Sequence, residues 1–151
     1  MLTAAGAAAT GIVGAAQAEL VDMENGLDRW FGEHYWAVHS SGGSVVASMS
    51  GGSYVGLVDG TFSYVTSTSP DIFGTVYGQL DLAAGDYTVY MSDTYGDGWS
   101  WGSYQGYLMI GSGSGTVTGS EVGSFTFTVV PAPSALALLG LAGIAGSRRR
   151  K

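Results

Sequence analysis

Two carboxylates and two indole rings occur close together in residues 92–101, which read Ser-Asp-Thr-Tyr-Gly-Asp-Gly-Trp-Ser-Trp. Asp93 and Asp97 are four positions apart and Gly98 follows, which is the arrangement of positions one, five and six in a calcium-binding loop. Ca²⁺ is coordinated by carboxylate and carbonyl oxygens, and millimolar affinity is sufficient for sites outside the cell. The segment therefore indicates a Ca²⁺ site with Asp93 and Asp97 as ligands.

The match to the EF-hand loop is incomplete. Position three is Tyr95 rather than Asp or Asn, and position twelve is Tyr104, where a bidentate Glu is required. The segment is therefore not an EF-hand, and a second interpretation stays open. In that interpretation Asp93 and Asp97 accept backbone N–H groups within the turn, and Trp99 closes one end of the domain core.

The aromatic residues of the same segment suggest sugar binding as a third role. If Ser100 is extended, Trp99 and Trp101 project to one face, where with Tyr104 they form a platform for the apolar face of a sugar ring. Core packing is the alternative, because a Gly-rich domain with few Leu or Ile needs the same rings to cover its interior. The segment resembles the Asp-Ser-Tyr-Gly-Asp-Gly-Trp-Asn motif that recurs in secreted bacterial β-domains, a resemblance that implies little about a ligand.

The sequence around this loop has the pattern of short β-strands. Gly and Ser interrupt it roughly every eight to twelve residues, and the stretches between are enriched in Val, Tyr, Phe and Thr. We predict strands at 34–39, 44–49, 54–58, 62–66, 72–82, 87–92, 105–110 and 123–130. Because no long helix separates them, parallel crossovers cannot form, and the prediction is an all-β domain built as an antiparallel β-sandwich or jelly roll.

The sequence gives little evidence for catalysis. His34 and His39 are five positions apart, an odd spacing that places them on opposite faces of a strand, so they cannot form a metal pair. His-Glu-x-x-His and phosphate-binding Gly-Lys-Ser/Thr segments are absent, and residues 98–102, Gly-Trp-Ser-Trp-Gly, match Gly-x-Ser-x-Gly without the following helix that a nucleophile elbow requires. Cysteine is also absent, which excludes disulfides and thiolate metal sites. We therefore predict that the protein is not an enzyme.

The two ends of the chain read as export signals. Residues 2–16 form an Ala-rich apolar run, and Ala16-Gln17-Ala18 matches the small-x-small cleavage pattern, so residues 1–18 are predicted to be a signal peptide. An apolar run at 135–146 is shorter than the roughly 20 residues of a permanent membrane helix. The basic residues that follow it stay on the cytoplasmic side of a membrane. We therefore expect a transient inner-membrane anchor, formed by a short transmembrane sorting helix, with the preceding domain facing outward.

The C-terminal tail carries a family resemblance. Pro131-Ala132-Pro133, the apolar run and a basic end resemble the PEP-CTERM sorting signal of Gram-negative bacteria that make exopolysaccharide, although Ala132 stands where the family usually has Glu. The basic end consists of Arg148, Arg149, Arg150 and Lys151. The resemblance implies that an exosortase-type enzyme cuts near the Pro-x-Pro element and releases the domain to the cell surface or extracellular matrix. An ordinary C-terminal membrane anchor is the alternative for this tail.

These signals divide the chain into a signal peptide at 1–18, an extracellular β-domain at 19–130 and a sorting tail at 131–151. The middle part holds Arg29 as its only Lys or Arg against all 12 acidic side chains, so it repels nucleic acid and anionic membrane surfaces. The expected partners are signal peptidase, the exosortase-type enzyme and exopolysaccharide. The expected function is a non-catalytic surface or matrix protein, and the alternative is a Ca²⁺- or glycan-binding module that uses the loop at 93–101.

Overall fold

The computed structural model describes residues 18–63 and 71–131, which form an all-β fold of antiparallel strands. Outside the described residues lie the predicted signal peptide apart from Ala18, the predicted strand residues 64–66, and the tail beyond Pro131. The described residues include no helix with the length and apolar character that a membrane crossing requires.

One five-stranded sheet, here the first sheet, has the order β11-β10-β1-β6-β5. Its strands are β1 (Ala18–Asp28), β5 (Leu57–Ser63), β6 (Ile72–Ala83), β10 (Tyr107–Ile110) and β11 (Gly113–Gly115). The second sheet has the order β12-β7-β2-β3-β4. Its strands are β2 (His34–Ser40), β3 (Val45–Ser50), β4 (Ser53–Val55), β7 (Gly85–Asp93) and β12 (Gly123–Val129). A short hairpin of β8 (Ser100–Trp101) and β9 (Tyr104–Gln105) stands apart, and a 3-10 turn (Phe31–Glu33) precedes β2.

The buried faces of the two sheets share one hydrophobic core. From the first sheet it takes Val21, Met23, Val76, Leu80, Leu108 and Ile110. From the second sheet it takes Trp36, Val38, Met49, Val89, Met91 and Phe127. Two antiparallel sheets joined by one core are consistent with the predicted β-sandwich.

The last predicted strand, 123–130, alternates apolar and polar residues in the sequence, and the structure places the two sets on opposite faces. Phe127 and Val129 are buried in β12 and Phe125 is half-buried, whereas Ser124 and Thr126 face solvent. The pairing of β12 with β7 places these residues beside the buried face of β7. This strand pair therefore follows directly from the period-two pattern.

The strand predicted at 54–58 is in fact two strands in different sheets. Gly56 lies between β4 in the second sheet and β5 in the first, with a φ of +87°. A Cβ at this position would stand 2.5 Å from the carbonyl oxygen of Val46 and 3.0 Å from the Cα of Ala47. Only glycine combines this backbone conformation with so close an approach, and the change of sheet occurs here.

β1 was not among the predicted strands, although it lies at the centre of the first sheet between β10 and β6. Val21, Met23 and Leu27 are buried, while Asp22 faces solvent and Glu24 is half-buried. The alternation is present in the sequence. However, β1 has few of the β-branched and aromatic residues that mark strands, and it borders the predicted signal peptide, so it was missed.

The glycine-serine segment 111–115 connects β10 to β11 as a tight hairpin, and its last three residues form β11 itself. Gly111, with a φ of +55°, begins the turn, and β11 then pairs with β10 in register. A Cβ on Gly113 or Gly115 would come within 3 Å of the Phe125 ring, so both glycines allow β11 to pack closely on the second sheet.

Candidate functional site

The loop that contains Asp93 and Asp97 begins where β7 ends and leads into the β8–β9 hairpin. Gly96 and Gly98 have φ values of +90° and +92°, which other residues rarely adopt. A Cβ on Gly98 would lie 2.6 Å from the backbone nitrogen of Gly119. The two glycines therefore fold the loop back tightly against the segment at 117–119.

Asp93 stabilises this turn through one of its oxygens. Asp93 Oδ1 accepts hydrogen bonds from the backbone N–H of Tyr95 at 3.0 Å and of Gly96 at 2.6 Å. The prediction that Asp93 accepts N–H groups within the turn is confirmed. Its other oxygen, Oδ2, is shielded from solvent and has no hydrogen-bond partner among the described residues. Asp93 can therefore hold the loop with one oxygen and bind a ligand with the other.

A third carboxylate joins the two that the spacing indicated. One oxygen each of Glu33, Asp93 and Asp97 lie within 4.8 Å of one another, and we call these residues the acidic cluster. Glu33 ends the 3-10 turn, and its carbonyl oxygen accepts the N–H of Thr94 at 2.9 Å. Sequence reasoning missed Glu33, because only the pairing of β2 with β7 brings residues so distant in the chain together.

The electrostatics of the acidic cluster favour a cation. Partial burial raises the pKa of the Glu33 carboxyl, and the negative charges of Asp93 and Asp97 raise that pKa further. Holding three ionised carboxylates this close is unfavourable without a counter-charge. A bound cation would remove the repulsion and lower the Glu33 pKa.

The donor set suits a hard divalent ion. Three carboxylates offer at most six oxygens, and Ca²⁺ takes roughly six to eight oxygen ligands, with carbonyls or water completing the shell. Glu33 supplies the third carboxylate that was absent from EF-hand position twelve, where the chain has Tyr104. The arrangement therefore offers a set of oxygen ligands assembled from two chain segments.

Trp99 belongs to the core. Its side chain is 0% exposed, its ring stacks on His34 with centroids 4.5 Å apart, and its Nε1–H donates to the carbonyl oxygen of Ser92 at 3.1 Å. The core-packing interpretation of Trp99 is confirmed. Trp99 has no exposed face to offer a sugar ring, and it does not share a surface with Trp101, which is 41% exposed. The prediction that both indoles form one platform is therefore wrong, because the Trp99 ring points into the core and the Trp101 ring lies at the surface.

The other two predicted sugar-binding residues are accessible and lie opposite each other. The β8–β9 register pairs Trp101 with Tyr104. Trp101 meets the exposed ring of Trp30 edge-on, with centroids 5.6 Å apart, and the guanidinium of Arg29 lies 5.8 Å from the Trp30 ring. The half-buried Tyr104 extends its hydroxyl over Gly26 of β1. Sugar binding by Trp101 and Tyr104 stays a prediction.

The two histidines lie on opposite faces of β2, as their spacing predicted. His34 is buried, with Nε2 at 3.1 Å from Oδ1 of the equally buried Asp28. His39 is half-buried and meets the ring of Tyr90 edge-on. Neither histidine belongs to the acidic cluster.

Of the predicted sorting signal, only Pro131 is described, as an exposed residue after β12. Ala132, Pro133, Arg148, Arg149 and Arg150 lie outside the described residues. Export and sorting of the protein therefore stay predictions from the sequence.

Compared with known proteins, the chain matches no protein-family model, no curated protein and no solved structure.

Proposed function

We propose that this protein is an exported, non-catalytic surface or extracellular-matrix protein whose β-sandwich domain binds Ca²⁺ at the acidic cluster. The observation that carries the Ca²⁺ proposal is the convergence of the Glu33, Asp93 and Asp97 carboxylates within 4.8 Å. The unpartnered Oδ2 of Asp93 supports it, because a buried carboxylate oxygen without a donor is costly unless a ligand satisfies it. The acidic balance of the domain also favours cationic partners.

Ca²⁺ is the preferred ion because the donors are oxygens on a loop and a turn. Imidazole and thiolate, which favour zinc and copper, are absent from the cluster. Mg²⁺ demands a near-ideal octahedron and keeps much of its water, whereas Ca²⁺ tolerates irregular geometry. In this role the ion would join the 3-10 turn to the loop after β7 and so stabilise one end of the domain.

Addition of 10 mM CaCl₂ is expected to raise the thermal midpoint of the domain at residues 19–131. For a dissociation constant of about 0.1 to 1 mM, as in extracellular sites, the stabilisation is about 1.4 to 2.7 kcal/mol. That corresponds to a shift of roughly 5 to 15 °C for a domain of this size. Differential scanning calorimetry with and without EGTA measures it, and MgCl₂ at equal concentration should give a smaller shift.

The variants make this test specific. Asp97→Asn should raise the midpoint without Ca²⁺, because it relieves like-charge repulsion, and should reduce the response to Ca²⁺. Asp93→Asn keeps an oxygen for the turn N–H groups and should also reduce the response. Asp81→Asn, at an exposed position on β6, is the matched control and should respond like the unaltered protein. A full response in the cluster variants, or none in the unaltered protein, would contradict the proposal.

The export part of the proposal rests on the sequence of the two ends. It places a signal peptide at residues 1–18 and a sorting helix at 135–146, with signal peptidase and an exosortase-type enzyme acting on them. Mass spectrometry of the protein recovered from outside an expressing cell should find a chain that begins at Glu19 and ends near Pro133. Recovery of the intact chain from the cytosol would contradict it.

A further inference from the structure

A groove of about 410 Å³ crosses the solvent face of the first sheet. We call it the outer groove. Its lining includes Asp22, Glu24, Asp59, Tyr77, Gln79 and Met109. It lies on a different sheet from β7 and the loop that carries Asp93 and Asp97, so it is separate from the acidic cluster.

The strand register explains why these side chains share one face. Asp22 on β1 is opposite Gln79 on β6, and Gln79 is opposite Asp59 on β5. Two residues further along β1, Glu24 is opposite both Met109 on β10 and Tyr77 on β6. The residues between these positions point into the core, as the burial of Met23 shows. The groove therefore carries two parallel rows of side chains across four strands.

The carboxylates of the outer groove are spread out rather than clustered. Asp22 and Asp59 flank Gln79, so they stand two strand spacings apart, about 10 Å. Among the described residues the acidic cluster is the only group of three whose oxygens approach within 4.8 Å, so these carboxylates do not converge on one ion. They suit a ligand that presents separate polar groups along its length.

Hydrogen bonds within the groove leave acceptors available. Gln79 Nε2–H donates to Asp22 Oδ1 at 2.8 Å, and the hydroxyl of Tyr107 donates to Glu24 Oε1. Asp22 and Glu24 thus each have one oxygen fixed by a neighbour and a second that is not used in these bonds. Side chains held in this way are pre-oriented to accept hydrogen bonds from a ligand.

Aromatic rings adjoin the carboxylates. Tyr77, which is 47% exposed, lines the groove, and Tyr107 and Tyr104 lie over Gly26 on the same face of the sheet. A Cβ on Gly26 would stand 2.5 Å from the Tyr104 hydroxyl, so the glycine makes room for both rings. The exposed ring of Tyr77, beside fixed hydrogen-bonding groups and two half-buried tyrosines, favours a flat, hydroxyl-rich ligand.

An extended peptide fits this face less well. β10, β1 and β6 lie inside the first sheet with a neighbouring strand on each side, so a peptide could add as a strand only at the outer edge of β5, beside the groove. Over the face formed by these three strands, recognition has to come from side chains. The groove residues include three carboxylates and no Lys or Arg, which repels acidic polymers and attracts ammonium groups.

We propose that the outer groove binds an oligosaccharide of amino sugars with free ammonium groups, such as glucosamine oligomers. Tyr77 stacks on the apolar face of a sugar ring and attracts its ammonium group, and Asp22, Glu24 and Asp59 accept hydrogen bonds from ammonium and hydroxyl groups. This site is a further function beside Ca²⁺ binding and does not depend on it.

Isothermal titration calorimetry of the domain with a glucosamine oligosaccharide, in EGTA, tests the proposal. Binding is expected, and Tyr77→Ala should weaken it about tenfold. Asp59→Asn should weaken it about threefold, and added salt should reduce the affinity. Tyr90→Ala, an equally exposed tyrosine on the second sheet, is the matched control and should leave the affinity unchanged.

Further measurements distinguish binding at the outer groove from binding at the acidic cluster and test which ligand is preferred. Asp97→Asn should not alter the affinity, whereas loss of binding in that variant would place the ligand at the acidic cluster. A neutral cello-oligosaccharide should bind more weakly and an acidic oligogalacturonate should not bind. Failure of the glucosamine oligomer to bind, equal affinity for the acidic oligomer, or an unchanged affinity in both Tyr77→Ala and Asp59→Asn would overturn the proposal. A basic peptide that competes as strongly would also overturn it in favour of a protein partner.

Discussion

Replacing Trp99 by Ala is expected to lower the free energy of unfolding by about 3 to 5 kcal/mol, the usual range for removing a buried tryptophan. The ring is fully buried, stacks on His34 and donates a hydrogen bond to Ser92. Its removal leaves a cavity beside the buried pair of His34 and Asp28. It also removes a hydrogen-bond donor from the carbonyl oxygen of Ser92. Urea unfolding followed by circular dichroism measures the change.

Trp101 provides the matched control, because it lies two residues away in the same motif. Its ring is exposed and meets only the surface ring of Trp30 among the ring contacts of the described residues. Trp101→Ala should therefore cost about 1 kcal/mol or less. Equal losses for the two substitutions would show that Trp99 does not anchor the loop to the core.

Replacing Asn25 by Leu is expected to cost about 2 to 4 kcal/mol, although leucine is the more hydrophobic residue. Asn25 is fully buried, and its Oδ1 accepts hydrogen bonds from Trp36 Nε1 at 3.1 Å and the Tyr54 hydroxyl at 2.9 Å. Its Nδ2 donates to the carbonyl oxygen of Tyr107 at 2.8 Å. Burial raises the pKa of Tyr54, which keeps its hydroxyl protonated and able to donate. Leucine would leave the buried indole N–H of Trp36 without an acceptor.

Urea unfolding checks this prediction against Gln79→Leu. Gln79 also carries a hydrogen-bonded amide, but its partner is the exposed Asp22, so that substitution should change stability by about 0.5 kcal/mol or less. A neutral or stabilising effect of Asn25→Leu would mean that apolar burial outweighs this polar network. Because Asn25 links β1 to β2, β4 and β10, its loss should also reduce the cooperativity of unfolding.

Most strands could be predicted from the sequence, because half-buried strands impose a period of two on residue type. Phe127 and Val129 show this period clearly, and they also carry the β-branched and aromatic types that favour strands. In β1 the same period is carried by Val21 and Met23 among acidic residues, so the pattern is present but the propensity is low. Gly56 could not be recognised as a change of sheet, because a single glycine within a strand-like stretch gives no indication of which sheet each half joins.

The candidate site was predictable only in part. Asp93 and Asp97 could be identified because they lie four positions apart in one loop, and this spacing is visible in the sequence. Glu33 could not, since its approach to them depends on the register between β2 and β7. The outer groove depends in the same way on four strands aligned side by side, and no local motif marks it.

The sequence by itself determined the all-β class, the alternating faces of its clearest strands, the acidity of the domain and the two carboxylates of the loop, because each of these is a property of neighbouring residues. The tertiary structure decided which tryptophan is buried, which third carboxylate joins the loop and which side chains share a groove. Those outcomes depend on strand order and register, which are set by the packing of the whole core rather than by any short segment.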